Sequence, residues 1–144
     1  MGPFLLDINV LIALSWPDHS LRKRAERWFA ARGHLAWATC PLTQMGFVRI
    51  LSNPAFSPHA LTPRDALILL ESNLKHPNHQ FWAASIPLGG AVGKIDAKLQ
   101  GHRQITDAYL AGLAAQRKGK FATMDGGVMS LVGEANKSAV EYIR

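Results

Sequence analysis

Strand-length apolar runs separated by stretches of helical period constrain this chain more than any other feature. Phe4-Leu5-Leu6 is cut off at a carboxylate, Asp7, as a buried strand would be on leaving a sheet. Asp7 stands where it would cap a following helix. Leu21, Ala25, Trp28 and Phe29 then recur at helical spacing, which predicts a helix over Leu21–Arg32, capped by Ser20 and stopped by Gly33. Leu35–Cys40 reads as a second strand and Thr43–Ser52 as a helix. Thr62-Pro63-Arg64-Asp65 is a helix start, with Thr as N-cap, Pro at the first helical position and an acid at the third. The stretch behind it, Ala66–Leu74, is apolar on most faces and belongs in a core or at an interface. Gln80–Ser85 is a further strand, and the glycine-rich Leu88–Gly93 reads as a flexible loop. Thr106 is placed to cap a helix running to Arg117, ahead of Gly119. Lys120–Thr123 and Ala139–Ile143 complete the strands. Alternation of this kind predicts an α/β fold in which helices flank a central, mainly parallel β-sheet.

The 144 residues fit one domain, 1–144, with no repeat, low-complexity tract or linker. A hydrophobic fraction of 48% supports a packed core and excludes disorder driven by low hydrophobicity. The single cysteine, Cys40, excludes a disulfide framework and a cysteine-rich zinc site. No apolar run is long enough for a membrane span. The start lacks the basic flank of a signal peptide, and Leu6 stands where myristoylation calls for Ser or Thr. A cytoplasmic location is the expectation. The formal charge of +6 suits a polyanionic partner, although solubility alone selects charges of that size.

In a parallel sheet, chemistry collects beyond the carboxyl ends of the strands. Asp7 follows the first apolar run, Asp107 opens the helix after Thr106, and Asp125 follows Phe121-Ala122-Thr123 by two residues. Each has a structural reading: Asp7 as a helix cap, Asp107 as a partner of the helix dipole, Asp125 as a turn residue before two glycines. Together they read differently. Carboxylates brought together repel one another unless a cation is shared, and such oxygens select Mg²⁺ or Mn²⁺ over zinc. Gln44 shares a helical face with Val48 and Leu51, either as a buried hydrogen bonder or pointing into the same cavity.

Leu5-Leu6-Asp7-Ile8-Asn9-Val10-Leu11-Ile12 resembles the first acidic motif of PIN domains, especially VapC-type toxin ribonucleases. Thr43-Gln44-Met45-Gly46-Phe47-Val48-Arg49-Ile50-Leu51 resembles the second motif of one VapC branch. Gly101-His102-Arg103-Gln104-Ile105-Thr106-Asp107-Ala108-Tyr109-Leu110 resembles the third, and Ala122-Thr123-Met124-Asp125-Gly126-Gly127 the fourth. The resemblance implies a PIN-like three-layer fold. It also implies a metal-dependent endoribonuclease that leaves a 5′-phosphate and a 3′-hydroxyl, neutralised by a small VapB-like antitoxin and often homodimeric. Asp7, Asp107 and Asp125 would then be the catalytic carboxylates that bind Mg²⁺ or Mn²⁺, supported by hydrogen bonds from Thr106 and Thr123. Gln44 would occupy the place of a usual fourth acid, leaving three charges for the metal. Replacing it by Glu would then tighten metal binding. Arg49, His102 and Arg103 are candidates for contact with RNA, each with a surface role as the alternative.

Two rivals remain at this point. A non-catalytic RNA-binding or scaffold domain of the same fold would owe its inertness to Gln44. A haloacid-dehalogenase-type phosphatase would need a second acid two residues after Asp7, where Asn9 stands.

Overall fold

The computed structural model describes residues 2–32 and 35–144. Five strands, β1 (Phe4–Leu6), β2 (Trp37–Thr39), β3 (His79–Phe81), β4 (Lys120–Thr123) and β5 (Val140–Tyr142), form one sheet in the order β3-β2-β1-β4-β5. Every pairing is parallel. Phe4 and Leu6 face one side and Leu5 the other, and all three are buried, as a strand covered on both faces requires.

The Phe4 and Leu6 face is covered by α1 (Ile8–Ser15), α2 (Arg22–Arg32), α3 (Pro41–Leu51) and α4 (Pro63–Asn73), whose Leu11, Ile12, Ala25, Phe47 and Leu70 fill that layer. The Leu5 face is covered by α5 (Leu88–Lys94), α6 (Ile105–Gln116) and α7 (Gly127–Leu131), through Ala91, Leu110, Leu113 and Val128. This is the three-layer arrangement the resemblance implies, around the parallel sheet that the alternating pattern predicts.

Four local expectations change. Leu88–Gly93 is a helix, α5, because Ala91 and Ile95 are buried against α6. Burial outweighs the glycine propensity there. At the start of α2 the side-chain acceptor is His19 Nδ1, which takes the Leu21 N–H at 3.0 Å, in place of the Ser20 hydroxyl. The expected stop at Gly33 lies outside the described residues. Helix α6 begins at Ile105, one residue before Thr106, so Thr106 sits in its first turn and does not cap it. The third strand is displaced to His79–Phe81, and Trp82 leaves the sheet edge to join the α6 side of the core. The Thr62 cap is as read: its hydroxyl accepts the Asp65 N–H at 3.1 Å.

The chain places β2 on one side of β1 and β4 on the other. The crevice between the carboxyl ends of β1 and β4 is therefore the switch point of the sheet, where open α/β folds bind ligands.

Candidate active site

Asp7 and Asp125 both emerge at that crevice. Asp7 leaves β1 in extended backbone (φ −61°, ψ 153°) and caps α1, accepting the Ile8 N–H on Oδ1 at 2.7 Å. Its other oxygen, Oδ2, accepts the Thr123 hydroxyl at 2.7 Å, which ties the end of β1 to the end of β4. The same Thr123 oxygen accepts the Asp125 N–H at 3.0 Å. Asp125 Oδ1 in turn accepts the Gly127 N–H at 2.9 Å, which holds the turn into α7. The structural readings of Asp7 and Asp125 are thus true. They orient the carboxylates without exhausting them, since each oxygen carries two lone pairs.

Asp107 enters from α6 on the opposite layer. Together Asp7, Asp107 and Asp125 line a cleft of ≈ 300 Å³ with Asn9, Arg49 and Thr106 among its other polar walls. Burial, followed by the charges of Asp7 and Asp125, pushes the Asp107 carboxyl up to about 7. Asp7, only 6% exposed, is also raised, chiefly by burial and against the two hydrogen bonds it accepts. The charges of Asp7 and Asp125 both oppose the ionisation of Asp107, so the carboxylates share one electrostatic space.

The donor set is hard oxygen, with no histidine or cysteine in the cleft wall, so it fits Mg²⁺ or Mn²⁺. Among the described residues, no three acidic, histidine or cysteine groups are drawn together as a ready-made cage. The carboxylates surround the cleft instead.

Gln44 is elsewhere. Its amide donates to the Thr39 hydroxyl at 3.0 Å, and Thr39 shares a 2.8 Å hydrogen bond with His79 Nε2. It lines a separate groove with Val48 and Leu70 between α3 and α4. The reason is helical phase: the face of α3 that meets the cleft carries Leu42, Met45, Gly46, Arg49 and Ile50. Gln44 was read as a catalytic position; its amide is engaged by Thr39, and it is not among the residues that line the acid cleft. In its place the cleft receives buried Gly46, where a Cβ would come within 2.3 Å of Ile8 Cδ1.

Arg49 and Thr106 line the cleft, whereas His102 and Arg103 lie in an exposed 3₁₀ turn outside its wall. Asn9 and Gly46 are cleft residues that sequence reasoning missed. Asn9 stands two residues into the helix that Asp7 caps, which is the signal that would have found it.

The PIN domain family profile matches residues 4–133. Ribonuclease VapC38 of Mycobacterium tuberculosis is 40% identical over 139 residues, 96% of each chain. Ribonuclease VapC39 of the same organism is 39% identical over 96% of this chain and 98% of its own. In fold, the crystal structure of FitAcB from Neisseria gonorrhoeae superposes with a TM-score of 0.59 at 17% identity, covering 97% of this chain and 96% of that one. With its strand order, its acid-lined crevice and these relatives in agreement, the chain belongs to the PIN-domain family, within its VapC group.

Proposed function

We propose that this protein is a divalent-metal-dependent endoribonuclease, the toxin of a toxin–antitoxin pair, acting on RNA in the cytoplasm. The observation that carries the reading is the cleft lined by Asp7, Asp107 and Asp125, brought from three separated segments, in which the charges of Asp7 and Asp125 oppose the ionisation of Asp107. Mg²⁺ or Mn²⁺ held there would polarise a phosphodiester and lower the pKa of water.

The chain's own residues do the rest. Thr123 fixes the Asp7 carboxylate and the Asp125 backbone with one hydroxyl, so two of the acids keep a common frame. Asp107 projects from the first turn of α6 into the same cleft. Arg49, exposed at the cleft wall, offers a planar fork to a phosphate. The non-catalytic reading rested on Gln44; with Gln44 outside the cleft, no observation favours it.

A small VapB-like antitoxin and a second copy of the chain are the proposed protein partners. Met45 on α3 and Leu67 and Ile68 on α4 are large apolar side chains 46–55% exposed, which supports a protein-covered surface there. Among the described residues no helix is long and apolar enough to cross a membrane.

The test is cleavage of labelled RNA by purified protein. The proposal expects cleavage with Mg²⁺ or Mn²⁺, none with chelator, and loss on the order of 10³ in rate for Asp7→Asn. RNA bound but left intact at every metal concentration would overturn it.

A further inference from the structure

Outside the acid cleft, a group of cations surrounds a groove of ≈ 390 Å³ between α2 and the end of β5, lined by Arg24, Arg27 and Arg144 with Trp28 and Tyr142. The one acid in it is committed internally. Glu141 accepts from Trp28 Nε1 at 3.0 Å and pairs with Arg32 at 3.2 Å. On the neighbouring face of α2, Arg22 is paired with Glu26. Arg24, Arg27 and Arg144 enter none of the ion pairs seen among the described residues. Arg144 is nevertheless held in place: its guanidinium lies 4.8 Å above the centre of the Tyr142 ring.

The groove leads to the cleft. Trp28 packs edge-on against Phe4 at the start of β1, and Phe29 against Trp37 at the start of β2. Trp28 and Phe29 therefore lie near the amino ends of the strands, and Arg24, one turn before Trp28, lies nearer the carboxyl ends where the acids are. Tyr142 makes the connection. Its hydroxyl lies so close to Gly126 that a Cβ there would sit 3.2 Å from it, and Gly126 adjoins Asp125. Arg24 and Arg27, one helical turn apart on one face, match a polyanion whose charges repeat along a strand.

We propose that this groove binds the phosphate backbone of the single-stranded RNA on one flank of the scissile bond, with the strand passing from the acid cleft over Gly126 and Tyr142 onto α2. The proposal rests on the endoribonuclease reading and adds to it a path for the substrate. The link from Tyr142 through Gly126 to Asp125 favours RNA over an acidic protein segment.

The experiment measures binding of a fluorescein-labelled single-stranded oligoribonucleotide in chelator across a salt series. The wild type is compared with the triple variant Arg24→Gln, Arg27→Gln, Arg144→Gln. Three lost phosphate contacts should lower the slope of log K against log salt by about 2 and weaken binding about a hundredfold at about 0.1 M salt. The corresponding triple Lys variant should keep the slope, because it keeps the charges. A control with Lys75, Arg117 and Lys118 changed to Gln loses the same charge at chain segments that precede β3 and β4, the end of the sheet away from the acids. It should stay within about threefold of wild type. Thermal unfolding of every variant confirms that each is folded.

Equal loss in the groove and control variants would overturn the groove, as net charge alone would then explain binding. So would a groove variant that binds RNA as wild type does but no longer binds the antitoxin, which would mark the surface for an acidic protein. In either case wild-type cleavage would leave the enzymatic reading standing. A wild type that neither binds nor cuts RNA would remove both.

Discussion

Asp107→Asn is expected to inactivate the protein and, at alkaline pH, to stabilise it. The Asp107 carboxyl titrates at about 7, against an ordinary value of 3.8, because burial and the charges of Asp7 and Asp125 oppose its ionisation. The sign follows from proton linkage. A carboxyl whose pKa is raised by folding binds its proton more tightly in the folded chain, so its contribution to stability is present at low pH. That contribution is lost progressively as pH rises from the unfolded value through about 7. A shift of that size corresponds to about 4 kcal/mol, which solvent screening at a half-exposed carboxylate reduces to about 2 kcal/mol. For a domain of this length that is about 6 °C in Tm. The amide variant should therefore melt about 6 °C higher than wild type near pH 8 and together with it near pH 3, below the ordinary value of 3.8, where the acid is neutral in both the folded and the unfolded chain. RNA cleavage should fall by a factor on the order of 10³. Scanning calorimetry at the two pH values checks the first part, and equal melting shifts at both would refute the electrostatic account of the cleft.

Gly112→Ala is expected to destabilise the fold without touching the acids. A Cβ at Gly112 in α6 would lie 2.3 Å from the carbonyl oxygen of Ala91 in α5, 2.6 Å from its carbon and 2.7 Å from its Cα. All three are backbone atoms, so no rotamer relieves the contact and α5 must move. Overpacking of this kind costs about 3 kcal/mol, and the better helix propensity of Ala returns about 1 kcal/mol. The net loss of about 2 kcal/mol lowers Tm by about 6 °C. Gly46→Ala is a useful contrast, since its Cβ would meet only side-chain atoms, those of Ile8, and no backbone. It should cost less than Gly112→Ala in the same thermal unfolding series, and the opposite order would contradict the packing of α5 on α6.

The acids were legible in the sequence because each is tied to a local signal: Asp7 to the end of an apolar run, Asp107 to a helix start, Asp125 to a strand followed by glycines. Helix α5 was not, because its three glycines at 89, 90 and 93 mask the burial of Ala91 and Ile95 one turn apart, and that burial depends on a surface supplied by α6. Gln44 shows a different limit. A motif string identifies α3 as a wall of the site, but which of two adjacent residues faces the cleft depends on helix phase, and a step of one residue turns a side chain by about 100°. The cations of α2, Arg22, Lys23, Arg24 and Arg27, are close together in the sequence. The sequence could not show that Arg144, far along the chain, stands beside them, because parallel strand order brings them together only after folding.

Calorimetric titration with Mn²⁺ tests the central claim most directly, with wild type beside Asp7→Asn, Asp107→Asn and Asp125→Asn. One site that each of the three substitutions weakens by at least about tenfold is the predicted result. Identical isotherms for all four proteins would contradict a divalent ion shared among these carboxylates.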